Sequence, residues 1–191
     1  MPRRPSHLEK QLKEDRRSGC PINLALEVFG DKWSLIIIRD IIFGNRRHFG
    51  TLLSQSEEGI ASNILADRLR RLTEAQLIVQ ADDPTHKQRS VYSLTEKAIE
   101  LLPILVLLAT WGTKHLRVGK EYAFRARVLE RGGPKLVRKL TAELRRDHIG
   151  AQGLFRSYSE DGRPSVVLEA AIADGRKTLR SAAKGKRPSK K

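Results

Sequence analysis

Residues 61 to 75 read ASNILADRLRRLTEA, and their periodicity decides the fold. Leu65, Leu69 and Leu72 recur at helical spacing on one face, while Asn63, Asp67, Arg70 and Glu74 lie opposite, with Ala66 and Arg71 flanking them. A helix from about Ala61 to Ala75 therefore buries its leucines and turns a polar face to solvent or DNA. Just upstream, Phe49, Leu52 and Leu53 mark a shorter helix, and the polar run from Ser54 to Gly59 separates the two. Two helices joined by a short turn are helix-turn-helix grammar.

Downstream, Leu77 to Gln80 and Ser90 to Leu94 are β-prone runs on either side of a long polar tip, Asp82 to Arg89, which predicts a hairpin. A basic-tipped hairpin behind such a helix is a wing. Thr95, with Glu96 after it, then starts one strongly apolar helix that runs through Ile99, Leu102, Leu105 and Leu108 to Trp111. It carries more apolar surface than a one-sided helix needs, so it is expected to pack against a second subunit.

Upstream, Pro21 opens a helix of Ile22, Leu24, Ala25, Val28 and Phe29 that stops at Gly30. Asp31 caps a second helix containing Trp33, Leu35, Ile36, Ile37, Ile38, Ile41 and Ile42, which Gly44 and Asn45 end. This second helix is apolar nearly all round and belongs at the centre. The fold class is mostly α with a small β-hairpin (α+β): a winged helix-turn-helix core, dimerising flanking helices and an α-rich C-terminal extension. The chain divides into a basic arm at 1–19, the core at 20–114, an extension at 115–179 that is helical in part, and a basic disordered tail at 180–191.

Charge follows that division. The 191 residues contain 37 Lys and Arg against 22 Asp and Glu, a net charge of +15. Residues 1–19 have 6 basic and 3 acidic side chains, 20–114 have 11 of each, and 115–191 have 20 and 8. The balance favours a polyanionic partner over an acidic substrate. In the extension, Pro134 starts an amphipathic helix with Leu136, Val137, Leu140 and Leu144 on one side. Val166, Val167 and Leu168 form a further apolar patch with no role that the sequence assigns.

Several classes are excluded or disfavoured. A single cysteine, Cys20, cannot form an internal disulfide, which rules out a secreted disulfide scaffold. The amino end shows no secretory signal, and Ala98 to Trp111 is shorter than the roughly 20 residues of a membrane span and carries Glu100 and Pro103. That stretch reads as a buried helix, and the expected location is cytoplasmic. His7, His48, His86, His115 and His148 lack metal-ligand spacing, and no phosphate loop, dinucleotide fingerprint or nucleophile elbow is present. No catalytic residue, metal or cofactor is nominated.

Taken together, the landmarks resemble the HxlR family of bacterial winged helix-turn-helix transcription regulators. They are Cys20-Pro21, Gly30-Asp31-Lys32-Trp33, Arg47-His48-Phe49, Gly59-Ile60, Leu65, Arg68-Leu69, Leu72, Leu77-Ile78, Arg89, Tyr92-Ser93-Leu94-Thr95 and Trp111. They stand in the family's order across residues 20 to 112. Ala61, Asn63, Gln76, Val91 and Ala98 depart from its usual Ser, Lys, Gly, Glu and Gly, and residues 115–191 extend beyond it. The resemblance implies a homodimer that binds double-stranded DNA through paired recognition helices.

In the major groove, the exposed side chains Ser62, Asn63 and Arg70 would reach base edges, Asn pairing with adenine and Arg with guanine. Ala66 and Arg71 flank them, and Arg68, nearer the core side, suits a phosphate contact or a structural ion pair. An ordinary surface helix is the competing reading. Lys87 and Arg89, with His86, would touch phosphates or a minor groove from the wing, although a solvated basic loop has the same composition. Arg46 and Arg47 precede the first motif helix and are further phosphate candidates.

Ile22, Leu24, Leu101, Leu105, Leu108 and Trp111 are the candidate dimer interface. Cys20, at a helix N-terminus near Arg16 and Arg17, is a candidate reactive thiol. The resemblance points to an oxidant or electrophile sensor, with a small-molecule effector pocket between dimer helices as another means of gating. A small buried cysteine is the plainer reading. The leading functional reading is a sequence-specific regulator, in the first instance a repressor, on a palindromic operator. Its rivals are a nonspecific architectural protein driven by the basic extension and a protein adaptor on the same fold.

Overall fold

The computed structural model describes residues 18–83, 86–149 and 165–185. Helices α1 (Pro21–Phe29), α2 (Ser34–Gly44), α3 (Phe49–Ser54) and α4 (Ser62–Glu74) come first, then the strands β1 (Ile78–Asp83) and β2 (His86–Leu94). Helices α5 (Glu96–Ile99), α6 (Leu102–His115), α7 (Lys120–His148) and α8 (Val166–Gly185) follow.

As its apolar circumference predicts, α2 is central, with Ile37, Ile38, Ile41 and Ile42 buried against Leu52, Leu65, Leu69 and Leu72. Its start is held by Asp31, whose carboxylate accepts the backbone N–H of Trp33 at 2.8 Å and of Ser34 at 3.1 Å, together with the Ser34 hydroxyl. Burial pushes the Asp31 carboxyl upward, but these hydrogen bonds and the nearby Arg68 outweigh it and hold the carboxyl below its ordinary value. Asn45 ends α2 in the left-handed region, φ 47°.

Helix α4 closes with a Schellman motif: Leu77 N–H donates to the Leu72 carbonyl and Gln76 N–H to that of Thr73, both at 2.9 Å. The motif puts Gln76 at φ 58°, a conformation that favours glycine.

The hairpin is longer than its sequence signal. Antiparallel pairing runs from Ile78↔Leu94 through Asp82↔Ser90 to Asp83↔His86, with an irregularity between Asp82 and Asp83. Residues expected to form the polar tip therefore lie in strands, because backbone pairing carries charged side chains into the ladder. A bridge between His48 and Val91 adds a short third partner, and Tyr92 N–H donates to the Arg47 carbonyl at 2.8 Å. This ties the segment before α3 to the wing.

The single apolar helix expected after Thr95 is two, α5 and α6. The break at Glu100 and Leu101 precedes Pro103, which lacks the N–H and crowds the preceding turn, so it suits only the first turn of a new helix. Thr95 does not cap with its side chain; its hydroxyl donates to the Gln76 carbonyl at 2.8 Å. Nor is the stretch buried throughout: Leu102 and Leu105 are, but Ile104, Leu107, Leu108 and Trp111 are exposed. Among the described residues no helix is long and apolar enough to cross a membrane.

The extension joins the core instead of standing apart. Leu136, Leu140 and Leu144 of α7 are buried in the main cluster, the face predicted from Pro134 onward. Gly133 interrupts α7 at φ 53°, ψ −152°, a conformation almost restricted to glycine, and divides it into two helical halves. The buried Glu143 carboxylate accepts the N–H of Val166 at 2.9 Å and of Val167 at 3.3 Å, and the Ser165 hydroxyl, so α7 caps the start of α8. The unassigned apolar patch is thus the first turn of α8, with Leu168 in the core. Residues 180–185, expected in a disordered tail, continue α8, whose helix begins well before the basic run; 186–191 lie outside the described residues.

Candidate nucleic-acid interface

The outward face of α4 is positioned from beneath. Leu65, Leu69 and Leu72 are at most 2% exposed, which forces Ser62, Asn63, Ala66, Arg70 and Arg71 to the surface. Ala61 precedes the helix in extended conformation with no side-chain cap. The turn before it is fastened by Arg39 on α2, which grips the Glu58 carboxylate with two donors at 2.6 and 2.9 Å and reaches Asp40 at 2.7 Å. Hydrogen bonding from Arg39 holds the Glu58 carboxyl below its ordinary value. The sequence reading did not foresee this clamp; its signal was the adjacent pair Arg39-Asp40 within a run of isoleucines.

The α4 cations are internally paired. Arg70 donates to Asp67 at 2.8 Å and to Glu74 at 2.7 Å, and Arg71 to Asp67 at 3.0 Å. These contacts lower the Asp67 carboxyl and raise the Arg70 guanidinium. Any new contact of the Arg70 guanidinium therefore comes in exchange for these partners. Arg68 lies 3.6 Å from both Asp31 and Asp67, and its Nε is buried without a hydrogen-bond partner. Its place is that of a structural ion pair, the second of the two roles that the wheel allowed. Ser62 and Asn63 make no hydrogen bond through their side chains among the described residues.

Arg47 is corrected. Its side chain is 1% exposed: Nε donates to the Tyr92 carbonyl at 3.0 Å, Nη1 to the Asp147 carbonyl at 3.3 Å, and Nη2 to the Ser93 hydroxyl. A guanidinium enclosed by backbone carbonyls cannot reach phosphate, so Arg47 supports the site from within. Arg46 is likewise turned to Asp40 at 3.1 Å. On the wing, Arg89 is exposed on β2, while the Lys87 and His86 side chains lie outside the described residues. An open groove between α4 and the hairpin is lined by Phe49, Ala66, Arg70, Gln80 and Tyr92.

Cys20 is exposed and immediately precedes α1, and hydrogen bonds from the Asn23 and Ile22 backbone lower its thiol below the ordinary value. The buried-cysteine reading is thereby set aside; Arg16 and Arg17 lie outside the described residues. Of the candidate dimer residues, Ile22 is 70% exposed, Leu108 49% and Trp111 57%, whereas Leu24 is half-buried. Leu101 and Leu105 are corrected: both are buried in the chain's own core, on the face of the break and of α6 that meets it. Among the described residues no cluster of His, Cys, Asp and Glu could hold a metal ion.

Comparison with known proteins agrees with this arrangement. Residues 28–120 match the family model described as HxlR-like helix-turn-helix. The HTH-type transcriptional regulator Rv3095 of Mycobacterium tuberculosis is 37% identical over 101 residues, which are 53% of this chain and 62% of the relative. The chain thus spans about three fifths of that relative's length. MalR of Fusobacterium mortiferum, described as a candidate regulatory protein, is 30% identical over 104 residues, 54% of this chain and 97% of MalR. The crystal structure of PA1607, described as a candidate transcription factor, superposes with a TM-score of 0.50 at 34% identity, covering 56% of this chain and 72% of PA1607. MalR is matched almost from end to end, and the family model covers the segment that holds α2, α3, α4 and the hairpin; on these grounds the chain belongs to the HxlR-like helix-turn-helix family.

Proposed function

We propose that the protein is a sequence-specific regulator of transcription that binds double-stranded DNA as a homodimer and represses by occupying a palindromic operator. The observation that carries this reading is the outward face of α4, where Ser62, Asn63 and Ala66 stand exposed over three buried leucines, beside the hairpin. Helix α4 enters the major groove, Asn63 reads an adenine and Arg70 a guanine, with Arg71 beside them, and Lys87 and Arg89 hold phosphates from the wing. The second subunit packs on the exposed stripe of α6, Ile104, Leu107, Leu108 and Trp111, with Ile22 of α1. Two recognition helices then meet half-sites about one DNA turn apart, roughly 34–36 Å. The exposed Cys20 thiol, or an effector between the dimer helices, gates binding by changing that separation.

The test is a titration of labelled duplexes from the protein's own upstream region, against shuffled controls, with and without oxidant. The expected result is a site-selective complex whose preference for one base position drops by about 1–3 kcal/mol in Asn63→Ala, while binding to shuffled duplex is unchanged. An oxidant effect lost in Cys20→Ser identifies the sensor. Equal, salt-sensitive binding to every duplex overturns the specific reading in favour of an architectural one.

A further inference from the structure

We infer that the outward face of α7 is a second docking surface, one that takes the phosphate backbone of duplex DNA without regard to sequence. Helix α7 buries Ala126 and Leu129 before its break and Leu136, Leu140 and Leu144 after it. The same packing turns Arg127, Arg131, Lys135, Arg138 and Lys139 outward, all exposed. None of the five forms an ion pair among the described residues, although the cations around them do. Arg125 and Arg176 meet Glu121, Arg145 meets Glu96, and Arg146 meets Asp147.

The acids of α7 are otherwise spent, with Glu143 buried on the start of α8, so that Glu130 is the one α7 carboxylate beside the strip. Arg127 with Arg131, and Lys135 with Lys139, are like-charge pairs four residues apart, an arrangement that weakens a helix in the absence of a partner. A solvated helix face normally mixes both signs; here five exposed cations stand against Glu130 alone among the acids of α7 on that side.

The shape selects the partner. Gly133 divides the row into Arg127 with Arg131 before the break and Lys135, Arg138 and Lys139 after it, and four helical steps, about 6 Å at 1.5 Å each, separate Lys135 from Lys139. A duplex presents one charge per roughly 1.7 Å of axis, so a convex row of long cationic arms can meet several phosphates, whereas a small anion would need a concave site. A membrane-bound helix would show apolar side chains among its cations, but no large hydrophobic residue between Arg127 and Lys139 is exposed. This surface deepens the DNA-binding reading of α4 without using any α4 side chain.

The experiment uses the full chain and a duplex of random sequence, with binding measured between about 50 and 200 mM salt. In the triple variant Lys135→Gln, Arg138→Gln, Lys139→Gln, the slope of log K against log salt is expected to become shallower by about 1 to 3, near 0.9 for each phosphate that is no longer neutralised. The charge-keeping triple Lys135→Arg, Arg138→Lys, Lys139→Arg should retain the original slope, and both should match the parent in thermal melting. An unchanged slope in the Gln variant overturns the inference. So does a parent that binds no duplex at the lowest salt, or a loss confined to vesicles of anionic lipid. Because the duplex is random, failure of site selectivity at α4 leaves this result decisive.

Discussion

The imidazole of His148, at the end of α7, accepts the backbone N–H of Leu94, the last residue of the wing, through Nδ1 at 3.2 Å. One residue earlier, the Asp147 carbonyl accepts Arg47. The end of a helix outside the family's matched segment thus completes hydrogen bonds that the winged core cannot make alone, since a buried N–H or guanidinium without a partner is costly.

Acid should expose the His148 contact. Burial, reinforced by the charge of Arg47, lowers the imidazole to about 3 from 6.5. Between those values the unfolded chain binds a proton that the folded chain does not, so the stabilisation is complete above about 6.5 and is lost as pH falls toward about 3. His148→Asn supplies an acceptor that does not titrate. Urea unfolding across that window should show a steeper loss for the parent than for the variant; equal slopes would count against the contact.

Removing the Arg47 side chain should cost stability and leave DNA contacts intact. Arg47→Met strands the Tyr92 and Asp147 carbonyls and the Ser93 hydroxyl, which predicts a loss of about 2–3 kcal/mol in denaturant unfolding. Affinity per folded molecule, and its salt slope, should not move. A shallower slope would restore Arg47 to the phosphate contacts.

Charge on the exposed stripe of α6 should separate the subunits. Leu108→Asp and Trp111→Asp lie on the surface of a single subunit, so folding should survive. Sedimentation should change from dimer to monomer, and operator affinity should fall by about tenfold or more as the linkage of two half-sites is lost. A parent that sediments as a monomer would remove the dimer from the mechanism.

Gln76 occupies a left-handed position with a side chain that disfavours it. Gln76→Gly should raise stability by about 1 kcal/mol, the relief of the left-handed strain less the added freedom of the unfolded chain, read as a higher denaturant midpoint. Asn45, left-handed as well, should gain less from the same change, because asparagine tolerates that conformation.

Periodicity by itself determined the helix-turn-helix. The spacing of Leu65, Leu69 and Leu72 settles which face of α4 is inside, and so which side chains face out, because an apolar face on a regular helix has one low-energy orientation. The central place of α2, the wing and the buried leucines of α7 were legible for the same reason. Only the tertiary structure decided the roles of the polar groups. In the chain Arg47 looks like another cation before a helix, and it becomes a buried strut because carbonyls from residues 92 and 147 arrive around it. Leu101 and Leu105 look like interface, and they belong to the core because the chain breaks at Glu100 and Leu101 and α6 sets out with these two side chains facing inward. A hydrophobic pattern is a local property of the chain, whereas the partner of a buried charge comes from wherever the fold brings a matching group.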